Sequence, residues 1–121
     1  MEAHLVHQNH SGEYAVIGLF IEAGDKNQLM ETIWDNIPET GGVKKLRERS
    51  IDASSLLPAN QAHYSYIGSL TTPPCSENVN WYVMRQPIEA SEQQIEQFRA
   101  IYNFNARPVQ PLNHRVVKLA E

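Results

Sequence analysis

The feature that most constrains the fold is an apolar run at residues 14–21, in which no side chain is charged. A run of this length between turn signals is typical of a strand buried on both faces. Residues 2–7 precede it with an alternating pattern that places Glu2, His4 and Val6 on one face of a strand. A short turn signal separates the two runs, so together they predict an antiparallel hairpin.

The remaining periodic segments are short, and residues 43–66 show no strong period and are predicted to form a long loop. The predicted elements are a helix over 26–37, a strand over 79–84, a helix capped by Ser91 and ending near Tyr102, and a last strand over 115–119. The fold class is therefore α+β and mainly β, with short peripheral helices. With no repeat, no low-complexity tract and no linker in its 121 residues, the chain is one domain or a piece of one.

Composition excludes several classes of function. The formal net charge is −4 and the short basic stretch at 44–49 is interrupted by Glu48, so we expect a solvated surface and no nucleic-acid partner. No apolar run approaches the ~20 residues that span a bilayer, so we expect no membrane partner. No signal peptide opens the chain, which predicts a cytoplasmic location as it stands and a periplasmic or secreted one if a longer precursor exists.

The single cysteine, Cys75, cannot close a disulfide within the chain. We expect it to be a small buried or half-buried residue. It could also be the orphan of a pair whose other half lies outside this chain.

The first strand carries a candidate metal ligand. Glu2 and His4 lie on one face, where a carboxylate can accept the second N–H of a ligating imidazole and fix the ring. A catalytic zinc takes three protein ligands and a water, however, so one histidine is weak evidence. On this spacing alone, a strand histidine paired with a neighbouring glutamate is the preferred explanation.

The second candidate is the loop at 68–74, Gly-Ser-Leu-Thr-Thr-Pro-Pro. Its two prolines restrict the backbone and remove N–H groups, so Thr71 and Thr72 would be presented on a rigid support. Two hydroxyls held in this way could orient a substrate or a metal-bound hydroxide. A structural turn with threonines facing solvent is the simpler alternative.

Together these segments form a specific pattern. The Leu-Thr-Thr-Pro-Pro loop, the His-Leu-Val-His strand and three further motifs resemble the α-carbonic anhydrases in order and spacing, over essentially the whole chain, at residues 2–9, 15–20, 68–77, 79–81 and 107–113. The position of Cys75 and the Asn-Trp-Tyr-Val-Met run are similar to the bacterial branch. In that branch this cysteine is bonded to one near the N-terminus, which is absent here.

The resemblance implies zinc as cofactor and reversible hydration of carbon dioxide to bicarbonate by zinc-bound hydroxide. His4 resembles the third zinc ligand, and Glu2 resembles the carboxylate behind it. Thr71 resembles the threonine that accepts a hydrogen bond from the hydroxide, and Thr72 its neighbour on the substrate side. Tyr66 resembles a tyrosine of the adjoining hydrogen-bond network. The apolar wall that holds carbon dioxide is matched by Val6, Val16, Leu70 and Trp81.

The same resemblance implies that this chain is the C-terminal portion of a single domain, residues 1–121, with the N-terminal part absent. The family's other two zinc ligands form a His-x-His pair upstream, and no such pair occurs here. His4 and His7 are three residues apart, which places them on opposite faces of a strand. The full ligand set is therefore not present in this chain, and Met1 matches an internal methionine of bacterial relatives.

The missing part should also leave apolar surface uncovered. We expect strands such as 14–21 to have unpaired edges or an uncovered face, which another chain would cover. One interpretation is an enzyme whose site is completed by upstream residues, a complementing N-terminal half or a second copy. The other is an inactive truncated relative that acts as a self-associating or structural module.

Overall fold

The computed structural model describes residues 1–38, 41–46 and 50–121. Strand β1 (Glu2–Gln8) and strand β2 (Tyr14–Ala23) form the predicted antiparallel hairpin, with Glu2 opposite Phe20 and Gln8 opposite Tyr14. The side-chain oxygen of Asn9 accepts hydrogen bonds from two backbone N–H groups of the turn, those of Ser11 at 3.0 Å and Glu13 at 2.9 Å. The pairing of β1 with β2 fixes the register of β1, the strand that carries His4.

The hairpin is one side of a larger mixed sheet. The other strands are β3 (His63–Ser69), β4 (Glu77–Met84), β5 (Ile88–Ala90) and β6 (Lys118–Ala120). The order is β1-β2-β4-β3-β6, and β5 pairs with the end of β2. Within the described residues three pairings are antiparallel and two are parallel, which confirms a mainly β, mostly antiparallel fold.

Two short helices accompany the sheet in the described residues, α1 (Gln28–Trp34) and α2 (Glu92–Ile101), together with a 3-10 turn at Ala53–Leu56. Helix α1 is shorter than the predicted 26–37 because the side chain of Asn27 caps it, accepting from two backbone N–H groups of its first turn. Ser91 caps α2 as predicted, in a capping box with Gln94. No helix in the part of the chain described is long and apolar enough to cross a membrane.

The structure differs from the predicted local structure in three places. Strand β3 lies partly in the segment predicted as a loop, because its polar residues Ser65 and Ser69 mask the strand pattern. Strand β5 was missed because it has only 3 residues. The last strand begins at Lys118 rather than at 115, since the N–H of Arg115 closes a turn onto the Leu112 carbonyl at 3.0 Å.

The unpaired edge is also not where we expected it. Strand β2 is paired with β1, β4 and β5, so the apolar run at 14–21 lies inside the sheet. Its central side chains are buried from both faces, although Phe20 remains 48% exposed. Among the described strands the sheet ends at β1, the strand that carries His4, on one side and at β6 on the other.

The two faces of the sheet have different cover. On the far face, which we define as the face opposite His4, the helices and the 3-10 turn pack against β2 and its neighbours. The buried residues of this core are Leu19, Ile21, Met30, Leu56, Met84 and Ala90. On the near face, which carries His4, a smaller cluster contains Val16, Val79 and Trp81. The helical layer therefore leaves the near face free for a site.

Two further predictions concern exposed or isolated residues. Lys44 and Lys45 of the basic stretch are exposed, as predicted for a solvated surface, while residues 47–49 lie outside the described residues. Cys75 is half-buried with a free thiol, in agreement with the prediction for a small partly buried residue.

A buried glutamine joins the two helices. The Gln94 side chain donates to the Asn27 carbonyl at 2.7 Å and accepts from the Asn27 N–H at 2.9 Å, while 4% of the residue is exposed. The indole N–H of Trp34 donates to the Gln94 carbonyl at 2.9 Å. These bonds hold α1 against α2. They therefore also stabilise the helical layer that covers the far face.

Replacing Gln94 should therefore weaken the fold. We expect Gln94→Ala to lower the free energy of unfolding by about 1–3 kcal/mol, because it leaves the half-buried Asn27 N–H without its partner and removes one of two bonds to the Asn27 carbonyl. The exposed Gln93 on the same helix provides the matched control, Gln93→Ala. Urea denaturation measures both, and equal stability of the two variants would contradict this role.

Candidate metal-binding site

The near face brings several predicted site residues into one row. Val6 lies opposite Val16 on β2, Val16 opposite Trp81 on β4, and Trp81 opposite Tyr66 on β3. Directly paired residues point to the same side of a sheet, so these four side chains cross four neighbouring strands on one face. Leu70 packs against the same buried cluster. The predicted apolar wall is thus assembled within this chain.

His4 lies beside this wall. Its ring meets the Trp81 ring edge-on, with centroids 4.8 Å apart and planes at 84°. Its Nε2 lies 3.1 Å from Oε1 of Glu2, but the two groups are not aligned as a hydrogen bond requires. Nε2 is buried and has no other polar partner among the described residues, although 27% of the side chain is exposed. Since Nε2 faces Glu2, Nδ1 is the nitrogen left for a ligand.

A glycine allows this arrangement. Gly18 lies opposite His4 on β2. A Cβ at this position would lie 3.2 Å from the Glu2 carboxylate and 3.5 Å from the Trp81 ring. Both groups therefore occupy space that a larger residue would take, and Gly18 lets the carboxylate and the indole reach His4. The sequence reasoning missed this residue, although a glycine inside a strand is a recognised signal of close approach.

Trp81 is held from the other side by β3. Its indole N–H donates to the Ser69 carbonyl at 2.9 Å, and its ring stacks on Tyr66 with centroids 6.1 Å apart and planes at 5°. A Cβ on Gly68 would lie 2.9 Å from both rings. The wall residue is therefore fixed by a hydrogen bond, a stacked ring and a glycine, and Gly68 and Ser69 were not predicted as contributors.

The predicted threonine loop follows directly. It joins β3 to β4 and is closed by two backbone hydrogen bonds, from the Leu70 N–H to the Ser76 carbonyl and from the Cys75 N–H to the Thr72 carbonyl, each 2.9 Å long. Thr71 is half-buried and Thr72 is exposed. Since Leu70 packs on the near face, the two threonines start at the border of that face.

Tyr66 has a perturbed ionisation. Burial raises the pKa of its phenol above the ordinary value near 10, and the Glu2 carboxylate acts in the same direction, while Arg115 and Arg107 oppose it. The phenol therefore stays neutral at higher pH than an exposed tyrosine. The Glu2 carboxylate therefore acts electrostatically on Tyr66 and also lies beside His4.

This shift predicts a pH dependence of stability. Above about pH 10 the unfolded chain loses the Tyr66 proton while the folded chain keeps it, so stability falls as pH rises through this window. We expect Tyr66→Phe to reduce that fall. Unfolding at about pH 9.5 and 11 measures it, with Tyr64→Phe as control because Tyr64 is 40% exposed. Equal slopes in wild type and Tyr66→Phe would exclude the effect.

The described residues form no complete metal site. Across the described ranges, 1–38, 41–46 and 50–121, no three His, Cys, Asp or Glu side chains come together in a way that could hold a metal ion. His7 is exposed and its Nδ1 lies 2.9 Å from the Leu5 carbonyl, so it does not join His4. The His4 imidazole with its carboxylate fits one position of a zinc site.

Comparison with known proteins identifies the family of this chain. A carbonic anhydrase of Nostoc is 53% identical over 118 residues, and one of Neisseria gonorrhoeae is 45% identical. These alignments cover 97% of this chain but 45% and 46% of the relatives, so the chain spans about half their length. The α-carbonic anhydrase of Thermovibrio ammonificans, solved with the inhibitor sulfanilamide, is 48% identical with a TM-score of 0.90, covering 96% of this chain and 52% of that one.

Other solved structures show the same relation. A hyperthermostable carbonic anhydrase from a hydrothermal vent chimney has a TM-score of 0.93 at 48% identity, with 99% of this chain and 54% of that one covered. Dioscorin, solved with ascorbate, has a TM-score of 0.82 at 32% identity, and the match covers 99% of this chain and 53% of dioscorin. The sequence model of the eukaryotic-type carbonic anhydrase family matches residues 1–121 of this chain. The chain therefore belongs to the eukaryotic-type carbonic anhydrase family.

Proposed function

We propose that this chain is the C-terminal part of a zinc-dependent carbonic anhydrase domain, and that it acts in the reversible hydration of carbon dioxide once other residues complete its site. The observation that carries the proposal is the His4–Glu2 pair set against the indole of Trp81. An imidazole with a carboxylate 3.1 Å from one ring nitrogen and an apolar wall beside it resembles the arrangement of a catalytic metal centre.

Each part of the near face has a role in this proposal. His4 would hold zinc through Nδ1, while Glu2 accepts the proton on Nε2 and fixes the tautomer and ring orientation. Bound zinc would supply a nucleophile at neutral pH by lowering the pKa of its water to about 7. In the completed site the apolar wall would exclude water from the space beside His4, which would favour a small apolar substrate such as carbon dioxide.

The polar residues at the border of the wall would position the reacting atoms. Thr71, which directly follows Leu70, would orient the attacking oxygen with its hydroxyl, and Thr72 would lie on the substrate side. Tyr66, kept neutral by burial and by Glu2, would support this network as a hydrogen-bond donor. Bicarbonate would leave towards solvent on the side of the exposed Thr72.

The missing ligands would arrive at the open edge of β1. The N–H of Ile21 donates to the Met1 carbonyl at 2.9 Å, and the N-terminal amine of Met1 donates to the Ile21 carbonyl at 2.8 Å. Antiparallel pairs alternate between bonded and non-bonded, so the backbone groups of Glu2, His4 and Val6 point away from β2. An added strand would thus form hydrogen bonds with the backbone of His4, the residue that would supply this chain's zinc ligand.

A second candidate function is a self-associating or structural module without hydratase activity. Exposed apolar side chains favour it, since Val6 is 54% exposed and Phe20 48% exposed on the near face. Fold membership alone does not fix activity. A homo-oligomer formed through this face would cover the wall and block the substrate space.

The two candidates are separated by reconstitution. The chain is mixed with the segment of the Nostoc relative that lies outside the matched residues, zinc is added, and carbon dioxide hydration is followed by stopped flow with and without sulfanilamide. We expect sulfanilamide-sensitive hydration from the mixture and none from either polypeptide alone. A complex that forms but hydrates carbon dioxide no faster than buffer would favour the structural module.

A further inference from the structure

A groove of about 500 Å³ opens on the far face, beyond the region that the helices cover. Ser65 lies opposite Tyr82, and Ile67 opposite Asn80, so these side chains form its floor across β3 and β4. Lys118 of β6 lies opposite Ser65 and extends the same surface. The groove is thus separated from His4 by the thickness of the sheet.

The floor of the groove is apolar and open. Ile67 is 50% exposed and Tyr82 is 39% exposed, while Val116 at its side is 69% exposed. The buried core of the same face lies around β2, under the helices, and does not include these residues. Apolar side chains grouped in this way on one open surface are typical of a contact site.

Two cations border this apolar floor. A turn with left-handed φ at Asn113 (49°) and His114 (67°) brings Arg115 back towards the sheet. The guanidinium is anchored there by donating to the carbonyls of Leu112 and Pro111, each at 2.7 Å. In the described part of the chain, neither Arg115 nor Lys118 lies within ion-pairing distance of an acidic side chain. Positive charge therefore gathers here on a chain whose net charge is −4.

We propose that this groove seats an acidic, apolar segment of the polypeptide that completes the domain. The inference rests on the proposed function, because its occupant is the same completing polypeptide. The chain spans about half the length of its relatives, and in this proposal a second half of similar size supplies the segment that fills the groove. A segment with apolar side chains would cover Ile67, Tyr82 and Val116, while a carboxylate would meet Arg115 and Lys118.

The test uses the chain and the segment of the Nostoc relative outside the matched residues, with the dissociation constant measured by calorimetry. We expect Lys118→Glu to weaken the complex about five- to tenfold, since it replaces attraction by repulsion. Lys45→Glu makes the same charge change at an exposed site outside the groove and should have less than about a twofold effect. Raising the salt concentration from about 0.1 M to 1 M should remove most of the difference in affinity between Lys118→Glu and wild type. At the higher concentration the Debye length falls from about 10 Å to 3 Å.

A second variant and its matched control test the apolar side chains of the groove. We expect Val116→Ser to weaken the complex about tenfold, because the occupant of the groove would bury most of this valine side chain in the complex. Val109→Ser, at a residue that is 99% exposed and outside the groove, should leave it unchanged. Both groove variants lie at exposed positions, so circular dichroism should show an unaltered fold.

The outcomes separate this inference from the function. A complex that hydrates carbon dioxide but has the same affinity with Lys118→Glu and Val116→Ser would overturn the groove while leaving the function. A complex weakened by both variants would support the groove even if it were inactive. Self-association of the chain abolished by these variants, with no binding of the Nostoc segment, would identify a second copy as occupant and contradict the proposal.

Discussion

Trp81→Ala should lower the free energy of unfolding by about 3–5 kcal/mol, among the largest effects of any single substitution in this chain. The indole is 4% exposed, and it contacts His4, Tyr66 and the space over Gly18. Its removal leaves a cavity on the near face between the side chains of His4 and Tyr66. Gly18 and Gly68, which border this space, have no side chains to fill it. Urea denaturation at constant protein concentration measures the loss.

The conservative variant separates packing from hydrogen bonding. Trp81→Phe keeps a ring over the same strands but removes the N–H that donates to the Ser69 carbonyl. We expect it to cost about 1–2 kcal/mol, clearly less than the alanine variant. A Trp81→Ala protein within about 1 kcal/mol of wild type would show that the wall is not held by this residue.

His4→Ala should reduce zinc affinity of the completed protein by more than about 100-fold, because it removes a ligand rather than the group that supports one. Glu2→Gln should reduce it by about 10- to 100-fold, since the imidazole stays but loses its orienting carboxylate. We therefore expect His4→Ala to lose more zinc affinity than Glu2→Gln. Competition with a chromophoric chelator measures both affinities.

His7 provides the matched control for this series. It lies on the same strand as His4, but its side chain is exposed and does not contact the wall. His7→Ala should bind zinc as the wild type does. If His7→Ala and His4→Ala lost affinity equally, the assignment of His4 as the ligand would be wrong.

Much of the fold was predictable from local patterns. The apolar run at 14–21 and the alternation before it predicted the hairpin, and Ser91 predicted the start of α2, because both signals depend on neighbouring residues alone. Strand β3 was not predicted, since its polar residues hide its period. The open edge at β1 was also missed, because the order of strands depends on contacts between distant segments.

The site was predictable to a similar extent. Its motif residues, such as Glu2, His4 and Trp81, were found by resemblance, and the structure brings these three together on the near face. The glycines that make room for them were missed. A glycine inside a strand signals that another group approaches it closely, but the strand alone does not show that the group is the Trp81 ring of another strand.

The central claim is that this chain holds one zinc ligand, supported by a carboxylate, and that another polypeptide completes the site. Zinc bound per chain, measured by mass spectrometry of metals after exhaustive dialysis, tests it directly. The account predicts far less than one zinc per chain for the isolated protein. It predicts one zinc per complex after the segment of the Nostoc relative outside the matched residues is added. An isolated, monomeric chain that retains one zinc per molecule would contradict the account.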